Sequence, residues 1–158
     1  MNYMTTWMLG WIASEVRKYD KNIHLHVNNH AIFSNITEYN FPEWRRFLNS
    51  LGGSAHASWH FTLFPREEYS LAMSADCELL LSGAGELPWL MTEVQGGNNT
   101  YSGARAMCPT KEEITQWLWI VMGTEGKGAI FWSLNPRASG IESGEWALLD
   151  FQHQPTDR

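Results

Sequence analysis

The spacing of hydrophobic and polar positions changes several times along the chain, and each change marks a predicted element. Residues 5–17 carry Met8, Trp11, Ile12, Glu15 and Val16 along a helical stripe, which predicts a first helix. Residues 23–27 (IHLHV) alternate apolar and His side chains, the period of a strand, and run into Asn28, Asn29 and His30. Trp44, Phe47, Leu48 and Leu51 then return to helical spacing. Asn40 stands as the N-cap of that second helix, with Pro42 in its first turn and Glu43 three residues after the cap. Gly52 and Gly53 read as its end. A second strand is expected at 54–59 (SAHASW), although Ala and Ser are poor strand formers.

The third helix is expected at 66–81, with Tyr69, Ala72, Met73, Ala75, Cys77 and Leu80 near one side. Pro88 opens a third strand at 89–94 (WLMTEV). Thr110 and Glu113 have the spacing of a capping box, ahead of a stripe formed by Ile114, Trp117, Leu118, Val121 and Met122. Gly123 and Gly126 punctuate that helix, and 128–132 (GAIFW) reads as a strand buried on both faces. Beyond a polar loop, 145–151 (EWALLDF) offers a short extra strand.

Predicted strand starts at 23, 54, 89 and 128 lie 31, 35 and 39 residues apart, the length of a βα unit. Strands alternating with helices argue for a parallel sheet. Four such units are about half of an eight-stranded barrel, whose usual size is about 250 residues. The expected fold is therefore α/β, a partial TIM (β/α)₈ barrel, with residues 1–158 as one incomplete domain. A small doubly wound sheet is the rival, but no glycine fingerprint follows any strand.

Composition narrows the partners. A hydrophobic content of 44% with 18% charged residues belongs to a folded chain. The net charge of -6, without a Lys/Arg cluster, excludes a nucleic-acid backbone as partner. No apolar run approaches the ~20 residues needed to span a bilayer, so no membrane partner is expected. Glu15, Asp20 and the lack of a basic leader argue against a signal peptide and favour a cytoplasmic chain. Cys77 and Cys108 lack metal-site spacing and are expected to be buried free thiols. The nine Trp residues point to a heavily packed core, an interface or a pocket that stacks on flat apolar faces.

Positions choose among these. In parallel βα folds chemistry gathers at the C-terminal ends of the strands. Those ends carry Asn28-Asn29-His30, Ser58-Trp59-His60, Thr92-Glu93-Val94-Gln95 and Trp132-Ser133-Leu134-Asn135. Amides, imidazoles, one carboxylate and two indoles suit a polar ligand with apolar faces, as a carbohydrate is. Glu93 ends an otherwise apolar strand, where an ionised side chain is costly unless paired or functional; a structural salt bridge is the plain alternative. His24 and His26 are expected in hydrogen-bonded packing roles. No ligand spacing supports a metal, no cofactor is expected, and no G-x-S-x-G marks a nucleophilic serine.

The stretch ELPWLMTEVQGGNNTYSG, then KEEITQWLWIVMGTEGKGAIFW and SLNPRASGIESGEWALLDF, resembles the end of the catalytic barrel of glycoside hydrolase family 42, the β-galactosidases and their relatives. The likeness runs back through SAHASWHF and IHLHVNNH, as the fifth to eighth βα units. It implies a retaining mechanism with a carboxylate nucleophile and a second carboxyl group about 5–5.5 Å away as acid/base. Glu93 matches the nucleophile. Asn28, Trp59 and Glu142 match substrate-binding positions, and Tyr101 lies where the family has a sugar-stacking Trp; Trp132, at the fourth strand end, joins them as a binding residue.

Departures are visible too. His60 and Phe61 replace the family's pattern after Trp59, and Glu145 stands where a substrate-contacting His is common. The family's acid/base Glu follows an Asn in the fourth unit, and no Asn-Glu dipeptide occurs here. The expectation is thus a piece of a retaining glycosidase acting on β-galactosides or related β-glycosides, carrying the nucleophile but not the proton donor. A non-catalytic carbohydrate-binding or structural half-barrel is the alternative. Its open edges are expected to be covered by a second copy or by an N-terminal half.

Overall fold

The computed structural model describes residues 2–30 and 32–157. Helix α1 (Asn2–Tyr19) leads into strand β1 (His26–Asn29), and α2 (Ile32–Asn35) with a 3-10 turn (Ile36–Glu38) into α3 (Phe41–Trp44). Strand β2 (Ser50–Ala55) passes into α4 (Ala57–His60), a 3-10 turn (Arg66–Glu68) and the long α5 (Tyr69–Ala84). Strand β3 (Trp89–Gln95), α6 (Lys111–Gly123) and β4 (Ala129–Trp132) complete the elements. The four strands form one sheet in the order β1-β2-β3-β4, every pair parallel. The expected α/β architecture of consecutive βα units is what the chain adopts.

Helices cover one face of the sheet. Leu51 and Ala55 of β2 and Trp89, Met91 and Val94 of β3 bury there against Met73, Cys77, Leu80, Trp117 and Val121. Each large side chain fully withdrawn from water contributes roughly 1.5–3 kcal/mol. Helix α6 starts as its sequence dictates: the Glu113 N–H donates to Thr110 Oγ1 at 3.2 Å while the Thr110 N–H donates to Glu113 Oε2 at 2.7 Å. Asn40 likewise accepts the Glu43 N–H, at 3.4 Å.

Several expectations change. The helix around Trp44 ends after Phe41–Trp44, and Gly52 and Gly53 lie inside β2 rather than terminating a helix. Crowding explains the glycines. A Cβ on Gly52 would lie 2.4 Å from Thr92 Oγ1 and 2.5 Å from His26 Nε2, and one on Gly53 2.8 Å from Leu80 Cδ1. Strand β1 is shifted C-terminally, so Asn28 sits within it. Residues 145–149 form no strand; their backbone is satisfied instead by bonds such as Ser133 N–H to Trp146 O at 2.8 Å and Leu148 N–H to Ser133 O at 2.9 Å. Cys77 is buried as expected, but Cys108 is exposed, and the two are not joined in a disulfide.

The register of β3 decides what the open face of the sheet carries. Gly53 pairs with Met91 but Ser54 pairs with Glu93, so Thr92 is an extra residue in a bulge. Simple alternation would send Glu93 to the helix side with Trp89 and Met91. After the bulge, Glu93 shares the open face with Thr92, and Val94 takes the helix side. The outer edges of β1 and β4 have no neighbour among the described residues. The stripe of α1 (Tyr3, Met4, Trp7, Met8, Trp11 and Ile12) is exposed rather than buried. Among the described residues no helix is long and apolar enough to cross a membrane.

Candidate active site

Small residues in β2 let polar side chains from three strands converge on its open face. Thr92 donates to Asn28 Oδ1 at 2.9 Å, and the Asn28 amide donates to Glu93 Oε2 at 2.9 Å. The Ser54 hydroxyl lies 2.8 Å from the same carboxylate oxygen and 3.1 Å from Asn28 Oδ1, so its single proton goes to the carboxylate. Below this group, His24 Nε2 and His26 Nδ1 both meet Ser50 Oγ at 2.8 Å, hydrogen-bonded as expected but exposed rather than packed.

Oε1 of Glu93 is treated differently. Facing it is Nε2 of His56 at 3.4 Å, the outer limit of hydrogen bonding. His56 itself is 1% exposed. Its ring lies nearly parallel to Trp59 at 5.4 Å and against Trp146 at 4.9 Å. Trp59 and Trp146 meet at 5.2 Å, and Trp59 donates its indole N–H to Ser102 O at 2.8 Å.

Two more imidazoles close the cluster. His60 Nδ1 lies 2.8 Å from the carbonyl of Ser54, which can only accept, and 3.2 Å from the His56 backbone N–H; the shorter contact assigns the ring proton to Nδ1. His60 Nε2 is then left to accept from His30 Nε2 at 3.3 Å. Burial, with His30 and His56 nearby, pushes the His60 imidazole down to about 3, and burial lowers His30 as well. Both rings are neutral at physiological pH. Glu93 is held at about 2 by the facing His56 ring, against the opposing effect of burial, with Ser54 and Asn28 adding to the effect. At 2.8 and 2.9 Å, Ser54 and Asn28 are the firmer geometric anchors. The carboxylate is therefore ionised, fixed at one oxygen and less constrained at the other.

The remaining candidates sit apart. Trp132 lies beneath the Arg137 guanidinium at 5.6 Å, and Arg137 in turn holds Glu142 at 2.6 Å. Tyr101 is 83% exposed on the loop after β3. Glu145 accepts the backbone N–H groups of Thr100 and Tyr101 at 2.6 Å each and of Ser102 at 3.1 Å, together with the Ser102 hydroxyl. Burial would raise its carboxyl, but the bonds from Ser102, Tyr101 and Thr100 outweigh that and lower it. Both carboxylates after β4 are thus engaged, Glu142 by Arg137 and Glu145 by backbone N–H groups. Among the described residues no three His, Cys, Asp or Glu side chains are placed to hold a metal ion.

Ser54, His56 and Trp146 were not singled out as site residues from sequence. The available signal was a Ser and a His two residues apart in a strand of Gly, Ser and Ala, where the small neighbours leave room for a partner.

No protein-family model and no curated protein matches the chain by sequence. Solved structures do match in three dimensions. A β-galactosidase from the psychrophilic Marinomonas ef1 superposes on 99% of this chain with a TM-score of 0.80 and 13% identity, the match taking up 25% of that chain. A family 17 β-1,3-glucanosyltransferase from Rhizomucor miehei matches 96% of this chain with a TM-score of 0.66 and 12% identity, over 56% of its own length. A family 42 β-galactosidase from G. stearothermophilus matches 88% of this chain, with a TM-score of 0.65 and 13% identity, over 20% of its own length. At such identities the likeness is one of fold: the chain is part of a (β/α)₈ barrel of the kind found in glycoside hydrolases. It spans a quarter of the Marinomonas β-galactosidase and about half of the glucanosyltransferase.

Proposed function

We propose that these residues are the nucleophile half of a retaining β-glycosidase site, of the family 42 β-galactosidase type, with Glu93 as the attacking carboxylate. The observation that carries this reading is the state of Glu93. It ends a parallel strand on the open face, ionised, with Oε2 held by Asn28 and Ser54 and Oε1 less constrained. A retaining reaction needs such a carboxylate to form an ester with the anomeric carbon, and a second carboxyl group about 5–5.5 Å away to protonate the leaving oxygen. Glu142 and Glu145 are bound to Arg137 and to backbone N–H groups, so the proton donor is assigned to the other four βα units of a complete barrel. Trp59 supplies an apolar surface for the sugar, and Asn28 positions the nucleophile and the sugar hydroxyl nearest it. Trp132, Tyr101 and Glu142 bind the sugar chain further out.

A 2-deoxy-2-fluoro-β-galactoside with a dinitrophenolate leaving group tests the assignment, because that group departs without protonation. Incubation with the chain is expected to add one fluorosugar, mapped by peptide mass spectrometry to Glu93. The Glu93→Gln chain should stay unlabelled. Labelling of another carboxylate, or equal labelling of the variant, overturns the assignment. The glucosyl and glucuronyl reagents, run in parallel, report which sugar the face accepts.

A further inference from the structure

We infer that His56 is a positioning residue for Glu93, its buried Nε2–H fixing Oε1 as the attacking oxygen and meeting the charge that returns to it when the glycosyl ester breaks. The catalytic part of this rests on the reading of Glu93 as nucleophile; the geometric part does not. The ring is 1% exposed at the end of β2, packed against Trp59 at 5.4 Å and Trp146 at 4.9 Å, which also meet each other. Neither ring nitrogen has a well-formed hydrogen bond, although buried polar atoms in native structures nearly always find one. Glu93 Oε1, 3.4 Å from Nε2, is the acceptor placed to take that bond when the site tightens around a substrate.

The two carboxylate oxygens are unequal for this reason. Oε2 already accepts from Asn28 and Ser54, whereas Oε1 keeps lone pairs toward the open face. In the first step Oε1 bonds to the anomeric carbon and the bond to the leaving oxygen breaks. The leaving oxygen keeps that electron pair and takes a proton from the general acid. Glu93 is then an uncharged ester, and the Nε2–H contact weakens. In the second step water bonds to the anomeric carbon and gives its proton to the general base. The pair of the anomeric bond returns to Oε1, where Nε2–H meets the restored charge. No proton leaves His56. The titratable groups facing the pair are His30, beyond the end of β1, and His60, on α4, and both are neutral. The donors on Glu93 are N–H and O–H groups whose aim determines their effect.

The first test needs no variant. ¹⁵N NMR of the His56 ring in the chain is expected to show a proton on Nε2, and a ring protonated at Nδ1 alone would overturn the inference. Then His56→Phe keeps a ring against the two indoles and removes the donor, while His56→Gln keeps a donor. With the Glu93 carboxyl labelled with ¹³C, its titration midpoint should rise by about one pH unit in the Phe variant and recover in part with Gln. A folded His56→Phe chain with an unmoved midpoint defeats the proposal, because a packing role alone shifts melting temperature and not this midpoint. The fluorosugar trap separates the two readings. A moved midpoint without labelling of Glu93 leaves His56 in place and removes the glycosidase reading, and labelling with an unmoved midpoint does the reverse.

Discussion

Glu93 and Glu145 are both carboxylates set beside buried aromatic rings, and their partners separate what they do. Glu145 is saturated by backbone N–H groups and holds the loop after β3 in shape. Glu145→Ala leaves those donors unpaired, at a cost of about 1–3 kcal/mol. The measurements are thermal melting and faster amide exchange at residues 99–102, and unchanged exchange there would show that the loop does not depend on this carboxylate. Glu93 has two side-chain donors, and its folded carboxyl lies at about 2 against an ordinary 4.5. A depressed carboxyl stabilises the folded chain fully above its unfolded value, and that contribution is lost as pH falls through the folded one. The melting-temperature advantage of the native chain over Glu93→Gln should therefore be greatest above pH 4.5 and disappear toward pH 2. Calorimetry showing a pH-independent difference would contradict this; Glu145 and Glu113 titrate in both proteins and cancel. Asn28 and Glu93 could be found in the sequence because polar residues closing apolar strands are conspicuous. Ser54 and His56 could not, because their importance comes from a partner 39 and 37 residues away that no local period reveals.

Among the elements, the strands that alternate or run apolar were readable and the glycine-rich one was not. Gly-Gly after a helical stripe reads as a helix end, yet in β2 it marks where Thr92, His26 and Leu80 come too close for any side chain. The bulge in β3 was equally hidden. WLMTEV shows no break in its sequence, and only pairing with β2 shows that Thr92 is the extra residue and that Glu93 is thereby aimed at the open face. Gly52→Ala tests both features, since its methyl would meet Thr92 Oγ1 at 2.4 Å and through Thr92 press on Asn28. Overpacking of this kind costs typically about 1–3 kcal/mol. The variant should melt lower and shift the NMR signals of the Asn28 side-chain amide. Gly123→Ala, at the end of α6 with nothing within 4 Å of the new methyl, is the control and should be neutral or stabilise by up to ~1 kcal/mol. If both variants behave alike, close approach is not what keeps glycine at position 52.

At the scale of the whole molecule, the period of strand starts carried the architecture, because each βα unit must be long enough to cross back over the sheet. The stripe on α1 has the helical period expected, and its apolar side chains are exposed. In four consecutive units that face turns outward, where a closed barrel would set further helices and strands against it. Function follows the same division. On the proposed reading this half supplies an ionised carboxylate and an aromatic wall, and the loop carboxylates Glu142 and Glu145 are committed to Arg137 and to backbone N–H groups. The 158-residue chain alone is therefore expected to show no enzyme-like turnover of p-nitrophenyl β-galactoside. Missing acid–base assistance costs about 10²–10⁴-fold on ordinary substrates. An activated aryl glycoside needs little of that help, so it isolates the larger loss, which is of orientation. With half of the positioning face absent, the anomeric carbon is seldom held near Oε1 in line with the leaving oxygen, so glycosyl transfer registers as slow stoichiometric labelling over a long incubation and not as turnover; fixed geometry accounts for roughly 7–11 kcal/mol of barrier lowering in well-oriented reactions. Turnover at a rate typical of enzymes, about 1–10³ s⁻¹, would show that this face positions a sugar unaided. The proton donor would then have to lie within these residues, with Glu142 first to be replaced by Gln, since opening its contact with Arg137 exposes a carboxyl group and Glu145 has no such release.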